Sequence, residues 1–237
     1  MVGVQEAPNR ESASAVFGGE KLLFSGDERS EIGHFARRIN LPAKATIFNE
    51  SEPCVAIYQL TTGLACLYKT LADGRRQIVG FALPGDFLGS PFSDQCAYSV
   101  DAISEVAARL FLRGPFLTFL LANPNALRSM LEAQSKEIDA ARDHMLMLGR
   151  GTAEEKFVEF IINWRARVGR RGALANLVPL PMSRRDVADF LGLTIETVSR
   201  LLAKFERENV VRVIPEGLQL MGPTERPLLF ERCHNVF

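Results

Sequence analysis

The sequence predicts an α+β chain in three successive parts: short antiparallel strands, one long helix, and a compact helical unit closed by a β-hairpin. Three observations carry that reading. Apolar, β-prone runs recur at intervals of roughly 8–12 residues between positions 41 and 112, with turn residues between them. An apolar spacing of 4, 3, 4, 3, 4, 3 runs through residues 124–150. Near the C-terminus two short amphipathic segments flank Gly192, and a strand–Pro–Glu–Gly–strand pattern follows.

Bulk properties suit a folded protein. The chain has 237 residues, 47% of them hydrophobic and 24% charged, which is enough apolar material for a real core. No apolar run approaches the ~18 residues needed to cross a bilayer. The first twenty residues lack a basic-then-apolar signal pattern, so a cytoplasmic location without membrane attachment is expected. Cys54, Cys66, Cys96 and Cys233 are scattered, with no C-x-x-C pair. Neither a disulfide framework nor a thiolate zinc site is expected, and a reduced compartment fits. The formal net charge is zero. A slight basic excess falls in residues 151–237, the right sign for nucleic acid at that end but too small to decide anything.

Taken in order, residues 1–33 are mostly polar or small and read as an arm. Residues 34–123 read as a β-domain, a sandwich or barrel. Its strands include Ile47–Phe48, Val55–Tyr58, Leu64–Tyr68 and Gln77–Phe81. Asp73–Gly74 supplies a hairpin turn, since glycine tolerates φ > 0, and Pro84–Gly85–Asp86 marks another turn. Pro124, after Asn123, suits the first position of a helix over 124–150. Leu127, Leu131, Gln134, Ile138, Ala141, Met145 and Leu148 then form a heptad seam with charged flanks. Two readings stay open for it: a helix packed on its own domain, or one paired with its copy in a homodimer through Leu127, Leu131, Ile138, Ala141, Met145 and Leu148. Residues 151–237 form the last domain. It opens with an amphipathic helix over 154–167 and a loop at Gly169–Arg170–Arg171–Gly172.

The last domain carries the chemistry. Ser183 can cap a helix, with Asp186 completing a capping box. Val187, Ala188, Phe190 and Leu191 give its inner face, and Gly192 ends it. Thr194 caps a second helix over 195–208, whose inner face is Val198, Leu201, Leu202 and Phe205. Glu196, Thr197, Ser199, Arg200 and Lys204 are left facing outward. Two short helices with a tight glycine turn make a helix-turn-helix, whose second helix enters the major groove of double-stranded DNA. Arg200 suits guanine O6/N7 and Glu196 suits cytosine N4, while Ser199 can read either kind of group. Ser183, Arg184, Thr194, Thr197 and Lys204 suit phosphate contacts. A hairpin over Val210–Ile214 and Leu218–Leu220 makes the unit a winged helix.

The stretch Met182–Ser183–Arg184–Arg185–Asp186–Val187–Ala188–Asp189–Phe190–Leu191–Gly192–Leu193–Thr194–Ile195–Glu196–Thr197–Val198–Ser199–Arg200 resembles the recognition unit of the CRP/FNR superfamily of bacterial regulators, and within it the FixK group. The Asp73–Gly74 hairpin and Pro84–Gly85–Asp86–Phe87–Leu88–Gly89 resemble that family's β-roll, the cyclic-nucleotide-binding-like fold. The likeness covers roughly residues 34–220. It implies a dimerisation helix at 124–150 and a base-reading triad of Glu196, Ser199 and Arg200 on a TTGA-type half-site. It also implies a homodimeric activator of microaerobic or respiratory genes that recruits RNA polymerase through surface loops, Arg167–Arg171 being a candidate.

Two departures narrow the resemblance. Family members that bind cyclic AMP place a Glu just after the G-D-F-x-G turn, then an Arg–Ser pair on the phosphate. Here Ser90–Pro91–Phe92 follow Gly89, and no Arg or Lys comes before Arg109. A buried phosphate would lack a cation, which is costly. Oxygen-sensing members use N-terminal cysteines for an iron–sulfur cluster, and no cysteine precedes Cys54. No cofactor is therefore expected. His34, His144 and His234 are not at metal-ligand spacing, so no metal is expected either. No nucleophile elbow, P-loop or H-E-x-x-H motif appears, and no catalytic residue is assigned. The alternatives are a ligand-gated regulator of the same fold and a winged-helix module that binds no DNA.

Overall fold

The computed structural model describes residues 24, 26–169, 176–222 and 229. After helix α1 (Gly26–Gly33) come eight strands: β1 (Arg37–Leu41), β2 (Thr46–Phe48), β3 (Ala56–Thr62), β4 (Ala65–Thr70), β5 (Arg76–Ala82), β6 (Phe87–Leu88), β7 (Ser99–Ala102) and β8 (Val106–Leu112). They form two four-stranded sheets, ordered β1-β8-β3-β6 and β2-β7-β4-β5. All pairings are antiparallel, as the alternation and turns predict. The β4–β5 hairpin turns at Asp73–Gly74, where Gly74 takes φ +82°.

The end of the expected arm is part of this β-roll. Phe24 is only 5% exposed and meets Phe87 and Phe119 edge-on, at 5.7 and 6.0 Å between ring centroids. Phe24 ends the short apolar run Leu22–Leu23–Phe24, and burial of its large ring supplies the anchor. Residues 1–23 lie outside the described residues.

Helix α2 (Arg113–Ala122) follows β8 directly, and its Phe116, Phe119 and Leu120 join the roll's core. Helix α3 (Pro124–Arg150) then runs 27 residues, with Pro124 at its start as expected. It contributes to both cores of the chain. Ala126 and Met130 bury against the roll, with Leu127 beside them. Met147, near the other end, enters a second core. Between them Leu131, Ile138 and Met145 stand 51%, 53% and 71% exposed at seven-residue intervals. That stripe is too apolar and too regular for a solvated face.

Helix α4 (Ala153–Val168) starts with a capping box between Thr152 and Glu155. Strand β9 (Leu177–Pro179), helices α5 (Arg184–Leu191) and α6 (Ile195–Arg207), and strands β10 (Val211–Ile214) and β11 (Gly217–Leu220) complete the chain. The hairpin is wider than the sequence suggests, because β9 adds to it in the order β10-β11-β9. Gly217 takes φ +146°, and a Cβ there would lie 2.2 Å from the Val178 carbonyl oxygen, so only glycine allows the two strands to meet. The indole of Trp164 donates to the Pro179 carbonyl at 2.7 Å, tying α4 to β9.

The second core ignores the boundary between roll and C-terminal unit. Leu64, Ile78 and Phe81 of the roll pack with Phe160, Trp164, Val187 and Leu191 in one continuous cluster.

Candidate nucleic-acid interface

The helix-turn-helix forms as its local sequence dictates. The Ser183 hydroxyl accepts from the Asp186 amide at 3.1 Å, and an Asp186 carboxylate oxygen accepts from the Ser183 amide at 2.9 Å. Gly192 closes α5 in the left-handed region at φ +62°. The Thr194 hydroxyl then accepts from the Thr197 amide at 3.2 Å and starts α6. Val198, Leu202 and Phe205 bury one face of α6.

The opposite face presents the expected reader residues. Glu196 and Arg200 are exposed and Ser199 is half-buried. Arg200 donates to the Thr197 hydroxyl at 3.3 Å, and Thr194 and Thr197 share a 3.1 Å hydroxyl contact. Arg184 of α5 reaches the Ser199 hydroxyl at 3.5 Å, so the two helices bring these side chains together. Glu196 titrates below the usual glutamate range. Its own backbone amide is the main cause, followed by the Thr194 hydroxyl, with Arg200 and Arg185 adding their charges. It therefore stays an acceptor.

Of the residues assigned to phosphate contact, Ser183, Arg184 and Thr194 are exposed and Thr197 is half-buried. Lys204 is different: its ammonium pairs with Glu154 of α4. A phosphate contact by Lys204 would compete with that partner or share the ammonium with it. The wing carries a further exposed cation that the sequence motifs do not mark. Arg212 is exposed on β10 opposite exposed Gln219 of β11. Its strand alternation was readable, with Arg212 between Val211 and Val213, but no motif marks the position.

The Arg167–Arg171 segment begins in the last turn of α4. Arg167 donates inward, to the Phe81 carbonyl at 2.9 Å and to Asp86 at 3.0 Å. Arg170 and Arg171 lie outside the described residues, as do Cys233 and His234.

The turn after β6 is already occupied by the chain's own groups. The Gly89 amide donates to the Tyr98 hydroxyl at 3.4 Å, and the Cys54 thiol donates to the Ser90 carbonyl at 3.4 Å. Arg113 holds the Pro91 carbonyl at 3.1 Å and pairs with Asp94 at 2.7 Å, while Arg109 donates to Gln59. The cations nearest in sequence thus serve the protein itself. Cys54, Cys66 and Cys96 are buried, although two of them lie in loops. Burial, then neighbouring Cys54, pushes the Cys96 thiol up to about 12, and burial pushes Cys66 to about 11. Neither is a reactive thiolate. Among the described residues no cluster of three His, Cys, Asp or Glu could hold a metal, and no helix is long and apolar enough to cross a membrane.

With this geometry in place, comparison with known proteins is decisive. Residues 180–211 match the profile of "Bacterial regulatory proteins, crp family", and residues 38–123 match that of the "Cyclic nucleotide-binding domain". The transcriptional activatory protein AadR of Rhodopseudomonas palustris is 44% identical over 196 residues, covering 83% of this chain and 82% of AadR. The chain belongs to the CRP/FNR superfamily of bacterial transcription regulators. The nitrogen fixation regulation protein FixK of Bradyrhizobium diazoefficiens is 45% identical over 196 residues, covering 83% of each chain. Among solved structures, that of FixK2 from Bradyrhizobium japonicum superposes with a TM-score of 0.75 at 33% identity, covering 84% of this chain and 96% of FixK2. CRP/FNR activators bind DNA and are dimeric, and this chain has their helix-turn-helix. The family's nucleotide site, however, does not fit: Ser90–Pro91–Phe92 offer no cation, and the Gly89 amide is taken by Tyr98.

Proposed function

We propose that the protein is a transcription activator that reads a TTGA-type inverted repeat as a homodimer, without a small-molecule effector, and controls microaerobic or respiratory genes. The observation that carries this reading is the outer face of α6, which presents Glu196, Ser199 and Arg200 together from a capped, rigidly packed helix. Arg200 pairs with guanine, Glu196 accepts from cytosine N4, and Ser199 supplies a short adaptable contact. Ser183, Arg184, Thr194 and Thr197 meet phosphates, and Lys204, drawn from or shared with Glu154, joins them. The names of AadR, a transcriptional activatory protein, and FixK, a nitrogen fixation regulation protein, support activation and control of that kind of gene.

The exposed stripe of Leu131, Ile138 and Met145, with Ala141, pairs with its copy across the dimer axis. Leu127 and Leu148 are half-buried within their own chain and flank that seam. Two reader helices then fall about 34 Å apart, one turn of DNA. RNA polymerase is engaged by another surface of the DNA-bound dimer.

The effector-free part of the reading is tested by titrating cyclic AMP and cyclic GMP into an operator-binding assay at fixed salt. Unchanged affinity is expected. A gain of about tenfold or more, the size of ordinary allosteric coupling, would make the β-roll a working sensor.

A further inference from the structure

We infer that Arg76, in the β-roll, is a positioning residue for DNA recognition: it locks the first helix of the helix-turn-helix and so fixes the pose of the reader helix before DNA arrives. The inference rests on the proposed reading of DNA by α6.

Arg76 opens β5, far in sequence from α5. One guanidinium nitrogen, Nη2, lies 2.5 Å from Asp186 Oδ1 and 3.2 Å from Asp189 Oδ2. Its Nε lies 3.3 Å from the same Asp189 oxygen. The guanidinium carbon sits 5.3 Å from the centre of the Tyr68 ring, which supports the fork from behind. The three charged side chains are only 27%, 14% and 25% exposed, so solvent screens the pairs incompletely.

Asp186 has two duties. Its second carboxylate oxygen accepts from the Ser183 amide and hydroxyl, closing the cap of α5. Arg76 therefore grips α5 in its first turn, at the residue that completes its capping box. The other end is gripped by the next residue of β5. Gln77 Nε2 donates to the Asp189 and Phe190 carbonyls at 2.6 and 3.3 Å, groups that the end of a helix otherwise leaves unsatisfied. Phe81 of the same strand packs on Phe190 at 5.3 Å. One strand thus holds α5 at its start, middle and end.

Helix α5 cannot move without α6. Gly192 and Thr194 leave no slack between them, and Leu191, Val198, Leu202 and Phe205 share one core. Fixing α5 fixes the direction in which Glu196 and Arg200 point. A pre-set pose raises affinity because no population of misaligned conformers must be reorganised on binding. Lysine would replace the fork only in part, since an ammonium carries the charge but lacks the planar pair of nitrogens, Nε and Nη2, that together hold Asp189.

The test compares wild type, Arg76→Met, Arg76→Lys, Asp189→Asn and the double variant Arg76→Met/Asp189→Asn in anisotropy titrations on a TTGA-type inverted repeat and on a scrambled duplex, at several salt concentrations. Asp186 is left intact because it caps α5. Arg76→Met should bind the operator about tenfold more weakly, with an unchanged slope of affinity against salt, since Arg76 touches no phosphate. Arg76→Lys should recover part of the loss, and Asp189→Asn should add little to Arg76→Met. Amide exchange without DNA should quicken in α5 of Arg76→Met while the roll strands keep their protection. Equal operator affinity for wild type and Arg76→Met, or unaltered exchange in α5, would overturn the latch. A salt slope smaller by about one would make Arg76 a phosphate contact instead. If wild type itself shows no preference for the repeat, the DNA-reading proposal falls and the latch with it.

Discussion

The imidazole of His144 lies flat on the ring of Phe190, with centroids 4.0 Å apart and planes 7° apart, and its Nε2 sits 2.8 Å from the Phe190 carbonyl oxygen. This contact joins the long helix α3 to the end of α5. Burial lowers the His144 pKa, and the hydrogen bond to Phe190 opposes that only in part. The folded state therefore prefers neutral imidazole, while the unfolded chain takes up a proton near the ordinary value of about 6.5. Stability from this group is full above about pH 6.5 and is lost as pH falls below it. Thermal unfolding of wild type and His144→Phe across that range should show a steeper acid loss in wild type. Parallel pH curves would remove His144 from the account.

Arg200 supplies the sharpest prediction about recognition. Arg200→Ala should cost about 1–3 kcal/mol on the cognate site and relax selectivity at one base pair of each half-site. Operator variants with that pair changed should then bind wild type and mutant alike. An equal loss on every duplex, scrambled ones included, would reduce Arg200 to a phosphate contact.

The exposed stripe on α3 predicts its own partner. Ile138 stands between Leu131 and Met145, each one heptad away. Ile138→Glu places two like charges opposite one another at a dimer seam and should turn dimer into monomer in sedimentation at micromolar concentration. The fold itself should survive, because Ile138 contributes nothing to either core. A variant that remains fully dimeric would move the interface elsewhere.

Trp164 is the chain's single tryptophan and 2% exposed. Trp164→Phe keeps most of the ring packing but leaves the Pro179 carbonyl without its donor. A loss of about 1–3 kcal/mol in denaturant unfolding is expected. A neutral substitution would mean water replaces the indole there.

What the sequence made legible follows from the range of the interactions. The helix-turn-helix was readable because its signals are local: Ser183 with Asp186, Gly192, and Thr194 before Ile195. The Asp73–Gly74 hairpin and the start of α3 at Pro124 were readable for the same reason. Helix α2 was not, because Phe116 to Leu121 are apolar almost throughout and carry no clear period. Strand β9 is three residues long and exists only as a neighbour of β11. Phe24 closes the three-residue apolar run Leu22–Leu23–Phe24, which is too short to carry a helix or strand period. The grip of Arg76 and Gln77 on α5 spans more than a hundred residues of sequence. Patterning cannot pair groups so far apart. Lys204 shows the same limit at the site: Glu154, on another helix and fifty residues away in sequence, decides what it touches in the free protein.

The central claim is sequence-selective reading by α6 with no effector, and fluorescence anisotropy tests it most directly. Purified protein is titrated onto a labelled TTGA-type inverted repeat with half-site centres ~10–11 base pairs apart, and onto a scrambled duplex, at one fixed salt concentration with nothing added. The account predicts tight binding to the repeat, at least about a thousandfold above the scrambled duplex. Weak and equal binding to both, rescued by an added cyclic nucleotide, would contradict it.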